Sequence, residues 1–503
     1  AVATGRGISH GRVHPPGRES GRPGTTAQMD RRPARSDPGR RYPPKAAAGD
    51  FGLGLCHRLA SYCILLACRL RPAAFARTKP ATDTMKTLGL RNLEASGLLP
   101  RWRQSAGHGI VHLGLGAFHR AHQAPATQDA LQAQPGDWLI TAVSLRSTAL
   151  AHGLGAQDGL YTLVERDDDQ SRTRLLAAIG STLAERSQPG ATLLRIAAAE
   201  TRIVSLTVTE KAYGFAPVGG VDPENPEIRA DLARPDRPVG VIGLLVAGLA
   251  ARRAAGLAPF TVLCCDNLSE NGLRLRTAVM DFADRIDPAL AGWIGDSVAF
   301  PSTMVDRITP IPGPALAAEV ARLTGLLDAC AVEPEAFSQW VIEDCFPQGR
   351  PAWEAAPGVI FVRDAAPFEK MKLGMLNGSH SLIAWAGQVA GIDSVGAAMT
   401  RPEVVRLLRG HMARVAAGLG PLAGIDTAAY ADSLLRRFAN RAIHHRTAQI
   451  AMDGTQKLGP RVFEPAVAAL AGGRDLASFA WIAAAWMRHC LGVADDGAAY
   501  DLN

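Results

Sequence analysis

The sequence predicts an α/β protein, a doubly wound parallel sheet followed by a mainly α-helical C-terminal part, and three observations carry that reading. A β-branched run, Gly109-Ile110-Val111-His112-Leu113, leads into Gly114-Leu115-Gly116 and then into residues of helix-forming composition from Ala121 to Leu131, the order of a βα unit. Further strand-like runs follow at 138–143, 202–209 and 260–265, the last preceded by an apolar helical stretch at 239–257. Strands alternating with helices imply a parallel sheet. Beyond residue 365 the strand signal fades and amphipathic helical patterns take over. The expected organisation is a basic extension over 1–84, a dinucleotide-binding domain over 85–300 and a mainly helical domain over 301–503.

Charge separates the first of these segments from the rest. Residues 1–84 hold 15 basic and 5 acidic side chains, whereas the remaining 419 residues hold 39 and 42. The net charge of +7 therefore describes the leading segment, and overall basicity gives no ground for a nucleic-acid-binding body. That segment is rich in Gly, Pro and Arg and poor in periodic apolar residues, so it is expected to be disordered. Met85-Lys86-Thr87 looks like an ordinary start ahead of the folded part. An Arg-rich targeting segment and a basic arm for nucleic acid are the competing readings.

The eight cysteines, at 56, 63, 68, 264, 265, 330, 345 and 490, form no Cys-x-x-Cys pair, which favours a reducing compartment over a disulfide framework or zinc ribbon. No run of about 18 apolar residues is present to cross a membrane. The expected location is cytoplasmic, with no metal, membrane or nucleic-acid partner.

In the glycine turn, Gly114 permits a tight reversal and Gly116 removes the Cβ that would hold the backbone away from a pyrophosphate, with Ala117 and Phe118 opening the helix behind it. His119 stands where a third glycine is usual, and a plain βα turn gives the same pattern. The strand at 138–143 ends in Ser144, Leu145 and Arg146. With no acid there to hold a ribose, NAD and NADP both remain open, since Arg146 can meet a 2′-phosphate. Ligands of such sheets sit beyond the carboxyl ends of the strands, which is where Thr209-Glu210-Lys211 and Cys265-Asp266-Asn267 fall; Asn267 is there equally as a turn former.

In the helical part, Thr400-Arg401-Pro402-Glu403 reads as a capping box, and Asp475 as the cap of a later helix with Leu476, Phe479, Ala480, Ala483 and Met487 on its buried face. Trp481 and Trp486 are expected to pack. The segment Lys370-Met371-Lys372-Leu373-Gly374-Met375-Leu376-Asn377-Gly378-Ser379-His380 holds a lysine, an amide and an imidazole. At about 100° per residue Lys372, His380 and Asn377 fall near 0°, 80° and 140°, so all three can face one cleft. Such a set suits carbonyl reduction: Asn donates to the developing alkoxide, His fixes a neighbouring hydroxyl, and a desolvated Lys exchanges the proton. A surface lysine followed by a turn at Asn377-Gly378 is the plainer alternative. No tyrosine has a lysine four residues on and no His-Glu-x-x-His occurs, so two other dehydrogenase chemistries are not indicated.

These segments together resemble the polyol-specific long-chain dehydrogenase/reductase family, which contains mannitol 2-dehydrogenases and fructuronate (mannonate) reductases. The stretches that carry the resemblance are 110–123 (IVHLGLGAFHRAHQ), 204–211 (VSLTVTEK), 265–272 (CDNLSENG), 300–310 (FPSTMVDRITP), 339–344 (QWVIED), 367–381 (PFEKMKLGMLNGSHS) and 445–457 (HRTAQIAMDGTQK). The resemblance implies a metal-free, NAD-dependent hydride transfer in a cleft between a Rossmann-type domain and a helical domain. It implies Lys372 as the catalytic lysine, Asn267 and Asn377 as the carbonyl-polarising amides, His380 as the substrate-positioning imidazole, and Asp306 at the boundary of cofactor and active site. Gly374 and the pair Pro125-Ala126 depart from the family pattern. Lys211, Arg446 and Lys457, with His445, resemble the fructuronate-reductase branch and imply a carboxylate-bearing substrate. D-mannonate/D-fructuronate interconversion is the expected reaction, D-mannitol/D-fructose the alternative. A non-enzymatic Rossmann-like binding protein is the reading from another class, and the intact Lys372, Asn377 and His380 set argues against it.

Overall fold

The structure, a computed structural model, describes residues 85–502 apart from 95–98, 168–169, 421, 423–424 and 444. The expected disorder of 1–84 lies outside the described residues.

The glycine-led run forms β1 (His108–Leu113), followed by the short α1 (Ala117–Ala121) and by α2 (Gln123–Ala133). Next come β2 (Leu139–Ser144), the antiparallel hairpin β3 (Tyr161–Asp167) and β4 (Gln170–Leu176), β5 (Ile179–Ala184), β6 (Ile203–Leu206), α3 (Val241–Ala254), β7 (Thr261–Cys264) and α4 (Asn271–Asp284). The main sheet has the order β5-β2-β1-β6-β7, with every pairing parallel. Its order reverses between β1 and β6, which makes the crevice beyond their carboxyl ends the expected ligand position.

The strands read as continuous apolar runs because both faces are covered. Val111, Leu113, Val204, Leu206 and Val262 pack with α3 and α4 on one side, and Ile110, Ile140, Ile179, Ile203 and Leu263 belong to the core on the other. At the end of β1, Gly114 takes φ +104°, and a Cβ there would stand 2.1 Å from the Thr207 carbonyl oxygen at the end of β6. Only glycine lets the two strand ends approach so closely.

Three more strands follow: β8 (Thr303–Asp306), β9 (Gln339–Glu343) and β10 (Val359–Val362), with β9 central, antiparallel to β8 and parallel to β10. The helical part thus opens at α5 (Ala366–Met371) rather than near residue 301. It continues through a π-helical turn, Lys372–Asn377, into α6 (Gly378–Val389), then α7 (Pro402–Leu419), α8 (Thr427–Ala439), a short helix Thr447–Ala451 and α9 (Ala477–His489). Met375, Trp385, Leu408, Met412, Leu434, Phe438 and Ile482 form its core.

Two local expectations differ from the structure. Thr400 does not cap α7: its hydroxyl donates to the Ala397 carbonyl at 2.7 Å, and the helix starts at Pro402, whose fixed φ suits a first turn without a side-chain cap. In α9, Trp481 and Met487 face outward, 60% and 66% exposed, while Phe479 and Ile482 are buried. The Asp475 carboxylate does accept from the Ala477 N–H at 2.8 Å.

Candidate active site

Lys372 lies at the start of the π turn, buried, and its Nζ donates to Asn267 Oδ1 at 2.6 Å. Asn267 comes from the loop after β7, so this bond joins the sheet's carboxyl edge to the helical part. The loop is held by Asp266, whose carboxylate accepts from the N–H groups of Val208 (2.9 Å) and Thr209 (3.2 Å) and from the Tyr213 hydroxyl (2.6 Å). The ends of β6 and β7 are thereby tied together at the ligand-facing edge.

The π turn corrects the helical-wheel arithmetic. In an α-helix Asn377 stands about 140° round from Lys372, but an i→i+5 turn carries five residues back towards the same face. Two features sustain this turn. The Gly374 carbonyl accepts from His411 Nε2 at 3.0 Å, and a Cβ on Gly374 would stand 2.5 Å from Val415 Cγ1 on α7. Asn377-Gly378 is accordingly no turn but continuous helix.

Within this arrangement Asn377 Nδ2 and His380 Nε2 are both buried without a hydrogen-bond partner among the described residues. Unmade buried hydrogen bonds are costly, and two of them beside Lys372 are donor positions suited to a ligand's oxygens. The His380 ring lies 4.5 Å from Phe438 and 5.2 Å from His445. Burial, reinforced by His445, Arg437, Arg461 and Lys372, pushes its pKa well below the usual imidazole range. Of these neighbours His445 is itself held neutral by burial, its pKa pushed down to about 4, and Arg437 is paired with Asp306 and Glu335, which leaves Arg461 and Lys372 as the cations facing it.

Burial pushes the Lys372 pKa down to about 8, with Asp306 opposing and Arg461 and Arg437 assisting. Asp306, at the end of β8, has its carboxylate clasped by Arg437 at 2.8 and 2.9 Å and reached by the Tyr430 hydroxyl at 3.3 Å. Burial raises its pKa, but Arg437, with Lys372 and the Tyr430 hydroxyl, outweighs that and holds it below the usual carboxylate range. It acts on Lys372 as a buried countercharge, with both oxygens already engaged. Glu369, one turn before Lys372, has one oxygen accepting from the Glu270 N–H at 2.8 Å and the other without a partner; burial pushes its pKa up to about 7. Asp266, Glu369, Arg437 and Arg461 escape the sequence reading, and the position of Glu369 one turn before Lys372 is the signal that could have found it.

The glycine turn fits a dinucleotide. Gly116 is extended, and a Cβ added there would meet nothing nearer than the Gly114 carbonyl oxygen at 3.8 Å, so the space over it is open. Ala117 and Phe118 open α1 and are partly buried, Phe118 stacking on His122 at 4.9 Å. His119, in the place of a third glycine, is fully buried and stacks on the ring of His112 at 3.5 Å, so helix and strand meet through two flat rings instead of backbone contact. Arg146 is exposed and pairs with Glu227 at 3.1 Å.

The other basic residues singled out in the sequence are placed differently. Lys211 is exposed and pairs with Asp453 at 3.8 Å. Lys457 donates its ammonium to the carbonyls of Ile450 and Met452. Arg446 is exposed at the start of Thr447–Ala451 and has no ion pair among the described residues. The structure thus joins Lys372 to Asn267, puts Asn377 on the same π turn and His380 within electrostatic reach of Lys372, and leaves Lys211 and Arg446 at the surface.

Residues 108–355 match the mannitol dehydrogenase Rossmann domain and residues 364–503 the mannitol dehydrogenase C-terminal domain. The D-mannonate oxidoreductase of Escherichia coli (strain K12) is 42% identical over 399 residues, 78% of this chain and 82% of that protein. The mannitol 2-dehydrogenase of Cereibacter sphaeroides is 39% identical over 406 residues, 80% of this chain and 84% of that protein. Among solved structures, the Pseudomonas fluorescens mannitol 2-dehydrogenase in ternary complex with NAD and D-mannitol has a TM-score of 0.76 at 38% identity, covering 83% of this chain and 86% of that one. Among the described residues no helix is long and apolar enough to cross a membrane.

Proposed function

This chain belongs to the mannitol dehydrogenase family of oxidoreductases, and we propose that within it the protein interconverts D-mannonate and D-fructuronate with NAD as its hydride carrier. Gly114, Gly116, Ala117 and Phe118 would hold the dinucleotide. When bound, the dinucleotide would supply hydride exchange at the substrate's alcohol or carbonyl carbon.

The chain's own groups handle the oxygen and its proton. Neutral Lys372 takes the proton of the substrate hydroxyl during oxidation, and its ammonium returns it during reduction, a role matched by a pKa near 8. Asn267 holds the amine in place through its Oδ1. Asn377 Nδ2, buried and unpartnered, donates to the oxygen as negative charge develops on it. His380, kept neutral by burial, is left with Nε2 to orient a neighbouring hydroxyl. Asp306 steadies Lys372 electrostatically from its clasp with Arg437.

The observation that carries the choice of a sugar acid is Arg461, a guanidinium that acts on both His380 and Lys372 and has no carboxylate partner among the described residues. Such a site favours a substrate with a carboxylate over one with hydroxyls alone. Lys457 lies within electrostatic reach of Arg461 and adds to its field, and Arg446 is exposed with no ion pair among the described residues. The relative named D-mannonate oxidoreductase supports the same reading. One observation favours D-mannitol/D-fructose as the second reading: Lys211 and Lys457 are already engaged by the protein's own groups. Oxidation of NADH and of NADPH by fructuronate, tagaturonate and fructose, measured side by side, tests the assignment. A preference for fructose overturns the uronate reading, and a preference for NADPH overturns the choice of cofactor.

A further inference from the structure

Arg461 belongs to a second π-helical turn, Gly459–Phe463, that packs across the first. Its carbonyl oxygen lies 3.2 Å from where a Cβ on Gly378 would stand, so its backbone runs against the residue between Asn377 and Ser379. Its guanidinium Nη1 donates to Ser381 Oγ at 3.2 Å, on the residue that follows His380. That hydroxyl is the guanidinium's only hydrogen-bond partner, and no carboxylate pairs with it, among the described residues. Arg437 is the contrast: it too acts on Lys372, ranking behind Arg461, but it is neutralised by Asp306 and Glu335.

A guanidinium drawn from water without a countercharge is costly to hold. One turn earlier, Lys457 adds a second cation whose ammonium is spent on backbone carbonyls, which raises that cost. The remaining donors of Arg461 have the planar fork that matches a carboxylate, and a carboxylate would supply the missing charge. In D-mannonate and D-fructuronate the carboxylate lies several carbons from the reacting carbon, so its receptor is a group other than Lys372 and Asn267, and Ser381, next to His380, seats Arg461 for that role.

We propose that Arg461, seated on Ser381, is the residue that binds the carboxylate of the sugar-acid substrate. This rests on the uronate reading above and deepens it by naming the contact. Burial pushes the Arg461 pKa down to about 10 with no acidic neighbour to oppose it, in keeping with a cation whose partner is a ligand.

The test compares wild type, Arg461→Gln and Arg461→Lys as full chains with fructuronate and fructose. In Arg461→Gln the ratio of kcat/KM for fructuronate over fructose should fall by about tenfold to a hundredfold, chiefly through KM for the sugar acid. Arg461→Lys should recover part of it. Because Arg461 helps depress Lys372, the midpoint of the oxidation pH profile should also move upward in Arg461→Gln. Calorimetric titration of D-mannonate into the same variants should show the same weakening without turnover. Equal losses on both substrates, or an effect confined to KM for NADH, in an enzyme that still prefers uronates overturn the Arg461 assignment and leave the uronate reading standing. A wild type that prefers fructose overturns that reading first, and this proposal with it.

Discussion

Lys372 Nζ and Asn267 Oδ1 meet at 2.6 Å across a sequence separation of 105 residues, so the proton-handling amine of the helical part is gripped by the carboxyl edge of the main sheet. The pKa near 8 gives the sign of the pH dependence. Oxidation needs the neutral amine, so its kcat/KM should rise with pH and level off above about 8, while reduction should fall over the same range. Replacing Asn267 by Asp places a carboxylate on the amine and should move both midpoints upward by about one unit. Profiles measured in both directions on wild type and Asn267→Asp check this, and midpoints that do not move would remove Lys372 from the role.

A buried lysine is also a burden on stability. Its folded pKa lies below the ordinary value of 10.5, so between about 8 and 10 the unfolded chain binds more protons and stability rises with pH. Below that window both states are charged, and the native state carries the whole cost, up to about 3 kcal/mol before the lost bond to Asn267 is set against it. Lys372→Met should therefore be inactive yet at least as stable as wild type at pH 7, and its advantage should shrink by pH 10. Thermal denaturation at the two pH values decides this.

Asn377 makes a separate prediction, since its Nδ2 is buried and unpartnered. Asn377→Ala removes a donor that acts only on the developing oxyanion, so kcat should drop by about 100- to 1000-fold while KM changes little. Tm should hold or rise, because an unsatisfied buried amide leaves with the substitution. Steady-state kinetics paired with a melting curve reads both, and a loss confined to KM would make Asn377 a ground-state contact.

Much of this was legible in the sequence because strand runs and glycine turns are local signals. The parallel order, the turn at Gly114 and the residues of the Lys372–His380 segment all stand in short windows. What escaped are pairings that only the folded chain creates. Arg437 and Asp306 are 131 residues apart in sequence, and nothing in either window marks the other. Trp481 and Met487 misled because hydrophobicity states a preference for burial and cannot show which side of α9 meets the core. The π turn escaped because a uniform 100° per residue cannot register an extra residue in one turn.

Gly374 turns that last point into an experiment. On helix propensity alone, Gly374→Ala should stabilise by about 1 kcal/mol. The structure reverses the sign, because the new Cβ would stand 2.5 Å from Val415 Cγ1, and a β-branched side chain has little room to turn away. Overpacking of this kind costs about 1–3 kcal/mol. The strain falls on the turn that brings Asn377 round towards Lys372, so kcat should fall along with Tm. Val415→Ala alone leaves a cavity and destabilises, but combined with Gly374→Ala it should give back much of both losses, as a double-mutant cycle with strong favourable coupling. Additive losses would mean that the contact with Val415 is not what reserves this position for glycine.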